Sequence, residues 1–176
     1  MGVFIYPELD TERLVLRPLT LADGEEVFRH FADADVVRFM DIEPCGSLDD
    51  ALEIIQFHLD DSGCRWGLFD KAAGRLAGTC GYHCWSQEPV AKAEIGYDLS
   101  AAYWGQGLMK EALAAVIGFG FERMGLGMIE ATVEPENARS LRVLEGLGFQ
   151  RREELVGGLV YYSLMAPGRI GGRGQQ

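Results

Sequence analysis

The chain has 176 residues, the length of one ordinary domain, and is 48% hydrophobic and 24% charged, as globular proteins are. Its formal net charge of −11 argues against a nucleic-acid-binding protein, which needs clustered Lys and Arg, but is compatible with a cationic substrate such as an amine. No run of about 18 apolar residues occurs, and the N-terminus lacks the basic segment of a signal peptide. The four cysteines have no zinc-type spacing. We therefore expect reduced thiols, no metal site, no membrane association and a cytoplasmic location.

Hydrophobic periodicity predicts helices and strands in the first half of the chain. Alternating residues ending at Pro18 are typical of a strand near a sheet edge, and Ser47 with Asp50 resembles a capping box. In chain order, the predicted elements are a strand at 13–19, helices at 20–31 and 47–59, and strands at 65–70, 76–85 and 92–99.

The second half alternates helices with strands. In chain order, the predicted elements are a helix at 107–123, a strand at 128–133, a helix at 137–147, and strands at 149–156 and 159–165. We therefore predict one mixed α/β domain, residues 1–166, followed by a flexible tail, residues 167–176, with no internal linker. A fold class does not by itself identify a function, so the function must be inferred from sites.

A turn with two glycines, Gly105 and Gly107, connects a predicted strand to a predicted helix. Such a turn lets backbone N–H groups converge on a phosphate at the positive end of the helix, because glycine permits close approach. A Walker loop would need Gly-Lys-Ser/Thr, but Leu108 follows Gly107, and a dinucleotide fingerprint would need glycine in place of Lys110. The pyrophosphate of coenzyme A remains as a ligand. Taken alone, the turn is equally well explained as a plain helix start.

Four segments in order resemble the GNAT acetyltransferase superfamily, over roughly residues 10–165. They are the Asp-Thr-Glu-Arg-Leu opening at 10–19, Tyr-Trp-Gly-x-Gly at 103–107, the helix led by Asn137, and Gly148-Phe149. The opening and the Tyr-Trp-Gly-x-Gly turn are similar to those of the ribosomal-protein N-terminal acetyltransferases. The resemblance implies a twisted, mixed, mostly antiparallel sheet of six to seven strands with about four helices. It also implies acetyl-CoA as co-substrate, held by a splayed parallel strand pair, and a primary amine as acceptor.

The same resemblance assigns coenzyme contacts. The strand end at 97–99 would hold the pantetheine arm through its backbone, residues 104–109 would wrap the pyrophosphate, and Asn137 would bond the pantetheine or acetyl region. Two residues depart from the superfamily pattern: Trp104 replaces Gln or Arg, and Met109 replaces Gly or Ala, which is acceptable where its φ is negative. The predicted coenzyme-binding residues are Tyr97, Asp98, Leu99, Trp104, Gly105, Gln106, Gly107, Leu108, Met109, Asn137 and Ser140.

Acetyl transfer to an amine needs the amine in its neutral form. An α-amino group is roughly one-third neutral near pH 7.5, whereas a lysine amine is only ~0.1% neutral. As general base we nominate Glu94, with a pKa raised by burial, and His83 as the second candidate. The alternatives are that Glu94 pairs with Arg or Lys across the sheet, and that His83 is a packed strand histidine. His30 and His58 are interpreted as surface residues.

The leaving thiolate needs a proton or a hydrogen-bond donor. The tyrosine that many superfamily members carry seven residues after the Asn is absent, because Leu144 stands there. Ser140 matches the serine proposed as acid in the N-terminal acetyltransferase branch, and it either acts as acid or only hydrogen-bonds the coenzyme. Aromatic residues that could line an acceptor pocket, although strand aromatics are more often core, are Trp66, Trp85, Tyr82 and Tyr97.

Three functions remain open. The first is an acetyltransferase acting on protein or peptide N-termini, and the second is one acting on a small amine such as a polyamine, aminoglycoside or amino-acid-like compound. The third is a non-catalytic acyl-CoA-binding protein, which the missing tyrosine favours. The sequence is compatible with a monomer or a homodimer.

Overall fold

The structure, a computed structural model, describes residues 5–61 and 64–168, apart from the side chain of residue 64. Within these ranges the chain forms one eight-stranded sheet and five α-helices. The strands are β1 Leu9–Asp10, β2 Leu14–Pro18, β3 Cys64–Asp70, β4 Leu76–Ser86, β5 Lys92–Leu99, β6 Met128–Val133, β7 Gln150–Arg151 and β8 Val160–Met165. The helices are α1 Gly24–Phe31, α2 Ala34–Val37, α3 Leu48–Asp60, α4 Leu108–Glu122 and α5 Ala138–Gly146.

The sheet forks in its middle. Its strand order is β1-β2-β3-β4-β5-β6-β8-β7, and every neighbouring pair is antiparallel except β5 and β6, which run parallel. These two strands pair only from Lys92 with Met128 to Glu94 with Glu130, and residues 95–99 of β5 have no β6 partner. The divergence opens a gap beside the end of β5, which confirms the splayed pair expected from the resemblance.

Helices cover both faces of the sheet. One apolar cluster joins α4 and α5 to the sheet, with Trp66, Leu113, Ile129 and Leu144 all fully buried. A second, smaller cluster lies beneath α1, α2 and α3. Helix α4, which follows the glycine turn directly, carries the longest apolar stretch of the chain. Burial of this stretch along the sheet holds α4 in place. None of the helices in the described ranges combines the length and hydrophobicity that a membrane span requires.

The predicted mixed fold is confirmed, with differences in the shortest elements. Strand β1 has two residues and helix α2 has four, so neither is long enough to produce a periodic signal. The strand predicted at 149–156 shortens to Gln150–Arg151, because the chain leaves the sheet before the turn at Gly157 and Gly158, where φ is positive. Most of the predicted tail, 169–176, lies outside the described residues, and the domain boundary at residue 166 stays a prediction.

Candidate active site

The glycine turn adopts the geometry of an anion-binding loop. Gly105 and Gly107 have φ values of +73° and +75°, a region that favours glycine, and Gly107 is the N-cap of α4. The first backbone N–H groups of α4 have no partner within the helix. Both glycines, together with Leu108 and Met109, line a cavity of about 410 Å³. Met109 lies in the first helical turn, so its φ is negative and its N–H remains available, as the sequence required.

The N-terminal opening of the chain braces this turn. Arg13 donates from Nη1 to the carbonyl oxygen of Gln106 at 2.9 Å and from Nε to Oε1 of Glu111 at 2.9 Å. The hydroxyl of Thr11 donates to Oε2 of Glu111 at 2.7 Å. The opening segment at 10–19 entered the sequence analysis only through its resemblance to a family. In the structure, its residues hold the turn and the first part of α4 against β2.

Three cationic side chains border the same cavity: Lys110, Arg139 and Arg142. The guanidinium of Arg139 lies 3.3 Å from the centroid of the Trp104 ring, and the indole N–H of Trp104 donates to the carbonyl oxygen of Leu99 at 2.8 Å. Guanidinium and ammonium groups are the side chains that recognise phosphates. Sequence reasoning missed these cations, although the spacing of Arg139 and Arg142 at i and i+3 on α5 could have revealed them.

A second cavity, of about 750 Å³, adjoins the first. Three polar residues on facing elements, Tyr97, Asn137 and Ser140, line both cavities. The hydroxyl oxygens of Tyr97 and Ser140 lie 2.5 Å apart, and burial raises the pKa of Tyr97 to about 12, so its hydroxyl keeps its proton. The side-chain oxygen of Asn137 caps α5 by accepting from the N–H of Ser140 at 3.3 Å. The predicted residues Tyr97, Asn137 and Ser140 therefore meet at one junction.

Glu94 lies at the fork, as the last residue of β5 that pairs with β6, and lines the second cavity with His83. Its Oε1 accepts from the hydroxyl of Thr132 at 2.6 Å, and its Oε2 lies 3.5 Å from Nε2 of His83. The hydrogen bond from His83 and, with a smaller effect, that from Thr132 hold the pKa of Glu94 below its ordinary value despite burial. The expected raised pKa is therefore wrong, because hydrogen bonds to the charged form outweigh desolvation. The alternative interpretation expected Glu94 to pair with Arg or Lys across the sheet, but its partners here are His83 and Thr132.

The second cavity is acidic. Four carboxylates line it: Asp41, Glu94, Glu134 and Glu136. Two arginines also line it, Arg38 and Arg65, and the guanidinium of Arg65 lies 2.6 Å from Oδ2 of Asp98. Charge therefore changes sign across the junction, from the cationic first cavity to the acidic second cavity.

Asp98 does not direct its carboxylate into either cavity. The carboxylate accepts from Arg65 and from the hydroxyl of Thr79, both at 2.6 Å, and lies 2.5 Å from Nε2 of His30. Burial alone would raise the pKa of Asp98, but the charge of Arg65 and the bond with His30 hold it well below its ordinary value. Only the backbone of Asp98 therefore remains available for the predicted contact with the coenzyme. The prediction that His30 is a surface residue is wrong, because its ring is buried in this network.

Two of the aromatic residues predicted to line an acceptor pocket belong to the core. Trp66 is fully buried and donates to the carbonyl oxygen of Pro7, and Tyr82 is buried and donates to that of Val116. Of the four candidates, only Tyr97 lines the described cavities. His58 is half-buried rather than exposed, and burial together with the charge of Arg65 lowers its pKa to about 4.

Comparison with known proteins identifies the family. The acetyltransferase (GNAT) domain model matches residues 13–150. The chain belongs to the GNAT acetyltransferase family. Members of this GNAT family use acetyl-CoA as co-substrate, and the chain is an N-acetyltransferase like its relatives. The resemblance inferred from the four sequence segments is thereby confirmed.

Individual relatives agree with this GNAT assignment. An uncharacterized N-acetyltransferase of Bacillus licheniformis, p20, is 37% identical over 81% of this chain and 82% of its own length. The [ribosomal protein uS5]-alanine N-acetyltransferase of Escherichia coli is 31% identical, over 56% of this chain and 50% of its own. A GNAT-family acetyltransferase structure from Bacillus anthracis superimposes with a TM-score of 0.77 at 26% identity, covering 90% of this chain and 98% of that one.

Proposed function

We propose that this GNAT enzyme transfers the acetyl group of acetyl-CoA to the α-amine of a protein or peptide N-terminus. The observation that carries the proposal is the junction of the two cavities at Tyr97, Asn137 and Ser140. A thioester lying at this junction would face the coenzyme cavity on its thiol side and the acidic cavity on its acetyl side.

The first cavity suits coenzyme A. The glycine turn offers N–H groups and the positive end of α4 to the pyrophosphate, and Lys110, Arg139 and Arg142 add charge that balances the phosphates. The unpaired edge of residues 95–99 of β5 offers backbone groups to the amides of the pantetheine arm. The phosphates and the pantetheine arm of the coenzyme thus each have matching groups along this path.

The reaction follows from the groups at the junction. The neutral amine nitrogen attacks the thioester carbon, a C–N bond forms and the C–S bond breaks. The amine loses its proton to the pair formed by His83 and Glu94 on the acceptor side. On the other side, the hydroxyls of Tyr97 and Ser140 share a hydrogen bond in which either oxygen can be the donor. In the arrangement where Tyr97 donates, the serine proton is free to hydrogen-bond the departing thiolate. Because the leaving group is a thiol of pKa about 8.5, its departure needs little help from an acid.

The acceptor is inferred from charge and from a relative. Four carboxylates in the second cavity favour an acceptor that arrives as a cation, as an N-terminus does in its protonated state. The E. coli relative is named for the alanine of ribosomal protein uS5. An α-amine also makes the smallest demand on a base, because a third of it is neutral near pH 7.5, against ~0.1% of a lysine amine.

The acceptor class is tested by measuring thiol release from acetyl-CoA against a panel of amines. The panel contains peptides with free α-amines, the same peptides with blocked α-amines and an internal lysine, polyamines and aminoglycosides. We expect release only with free α-amines, and mass spectrometry should place one acetyl group on the N-terminus. Release with only a polyamine or an aminoglycoside would show that the acceptor is a small amine, while acetyl transfer from acetyl-CoA to an amine would still hold. No release with any amine, while acetyl-CoA still raises the melting temperature, would contradict the proposal.

Changing Gly107 to alanine is expected to raise the KM for acetyl-CoA by about tenfold, equivalent to 1.4 kcal/mol of binding free energy. A side chain at a φ of +75° strains the turn, and relaxation moves the N–H groups away from the phosphate. Gly74→Ala is the matched control, because Gly74 has a φ of +68° and lies in the β3–β4 hairpin outside both cavities. A Cβ would meet nothing within 4 Å at Gly74 and only Nη2 of Arg13, at an ordinary contact distance of 3.8 Å, at Gly107. Both variants should lose about 1–2 kcal/mol of stability. Equal KM values in the two variants would contradict the assigned phosphate site.

A further inference from the structure

Three side chains of metal-ligand type meet at the rim of the acidic cavity. The imidazole of His83, the thiol of Cys84 and the carboxylate of Glu94 each offer one ligand atom, and these atoms all lie within 4.8 Å of one another. His83 and Glu94 are a cross-strand pair of β4 and β5, and both line the cavity. The sequence gives no zinc-type spacing, because the cluster depends on strand pairing between residues 11 positions apart.

An irregularity in β4 brings the thiol to this cluster. Successive side chains of a regular strand point to opposite faces, so Cys84 would face away from His83. Between His83 and Ser86 the register with β5 shifts, and Cys84 has a φ of +53°, the one positive φ among the described non-glycine residues. This conformation is unfavourable for a residue with a Cβ, and such bulges redirect side chains next to functional sites. The bulge therefore places the thiol on the same side as the other two ligands.

The donor set selects a borderline-soft divalent cation. Thiolate, imidazole and carboxylate are the three ligand types that bind Zn²⁺, at about 2.0–2.3 Å, which sets tetrahedral ligand atoms roughly 3.3–3.8 Å apart. Because His83 and Glu94 are partly exposed and Cys84 is exposed, their side chains can close the remaining distance by rotation. Three protein ligands leave a fourth position for water, and the acidic residues Asp41, Glu134 and Glu136 of the cavity favour a cation nearby.

We propose that His83, Cys84 and Glu94 form a Zn²⁺ site, and that the bound metal inhibits acetyl transfer. The inhibition rests on the proposed function, because the metal takes the lone pairs of His83 and Glu94 that would otherwise receive the amine proton. At this position Zn²⁺ would also lie at the edge of the acidic cavity that the proposed function assigns to the acceptor. Binding itself requires only the three ligand atoms and does not depend on the identity of the acceptor.

Binding is tested with Co²⁺ as a spectroscopic probe in the chelator-treated, full-length protein. We expect one Co²⁺ per chain with a thiolate-to-cobalt charge-transfer band that Zn²⁺ displaces. Cys84→Ser should abolish the band, whereas Cys45→Ser and Cys64→Ser should keep it. Melting temperatures verify that each variant is folded. A band that is absent from the wild type, or that persists in folded Cys84→Ser, would overturn the site.

Inhibition is measured separately, as the activity of each protein with Zn²⁺ relative to its own activity with chelator. The wild type should be inhibited at the Zn²⁺ concentrations that displace Co²⁺, and Cys84→Ser should require at least about tenfold more, the lower end of the usual cost of a lost metal-site contact. Full activity of the zinc-loaded wild type would overturn the inhibition and the role of His83 and Glu94 as base, while the metal site stands. Absence of acetyl transfer in the chelated protein would instead count against the proposed function.

Discussion

Replacing Asp98 by asparagine is expected to lower the free energy of unfolding by about 3–5 kcal/mol, the cost of removing one partner from a buried ion pair. The side chain of Asp98 is 2% exposed, and its two oxygens face Arg65, His30 and Thr79. Asparagine has nearly the same shape, so the loss reports the missing charge rather than a cavity. Arg65, with a side chain 13% exposed, would remain without its carboxylate. Chemical denaturation monitored by tryptophan fluorescence measures the difference.

The matched control is Asp10→Asn. Asp10 also forms an ion pair, with Nζ of Lys71 at 2.9 Å, but its side chain is 71% exposed. Exposed pairs of this kind contribute at most about 1 kcal/mol, so the control should unfold near the wild-type denaturant concentration. If both variants lost the same small amount of stability, the Asp98 network would not be a stabilising element of the fold.

The same network predicts an acid dependence. The folded pKa of Asp98 is well below its ordinary value of 3.8, so its charged form stabilises the folded state at every pH above that value. This contribution is lost as the pH falls from about 4 toward the folded pKa, because the unfolded chain takes up a proton first. The groups facing the carboxylate are Arg65, His30 and, at longer range, His58, whose own pKa is lowered to about 4. The stability difference between wild type and Asp98→Asn should therefore shrink below pH 4.

Local motifs were predictable from the sequence because their chemistry is contained in consecutive residues. The turn at Gly105 and Gly107, the helix cap at Asn137 and the strand that precedes the turn all depend on short-range spacing, and the structure places them as expected. The fold followed from the order of these segments together with the family resemblance. Short elements such as β1 and α2 were missed because two to four residues carry no periodic signal.

Contacts between distant segments were not predictable from a single sequence. His30 and Asp98 are 68 positions apart, and only the packing of α1 on the sheet turns a histidine interpreted as exposed into a buried one. The pKa of Glu94 was misjudged for the same reason, since His83 reaches it only through the pairing of β4 with β5, and Thr132 on β6 only across the fork. Burial was anticipated for Glu94, but the hydrogen-bond donors that decide the sign of the pKa shift were not.

Glu94→Gln is expected to lower kcat/KM by about 100-fold or more, because general bases contribute typically 10²–10⁴. Glutamine keeps an oxygen that can accept from Thr132, so the site should stay folded while the negative charge next to His83 is lost. The dissociation constant for acetyl-CoA should not change, because Glu94 lies outside the cavity proposed to bind the coenzyme. Steady-state thiol release in the presence of chelator, with coenzyme binding measured by calorimetry, separates these effects.

Glu130→Gln provides the control for this substitution. Glu130 is the direct neighbour of Glu94 across the fork and bonds to Lys92 and Tyr161, yet it lines neither cavity. A loss confined to Glu94→Gln, measured with the α-amine peptide, would identify Glu94 as part of the base. Wild-type turnover in Glu94→Gln would contradict that role. The enzyme would then rely on the neutral fraction of an α-amine and on positioning at the junction, which carries the proposed function without a base.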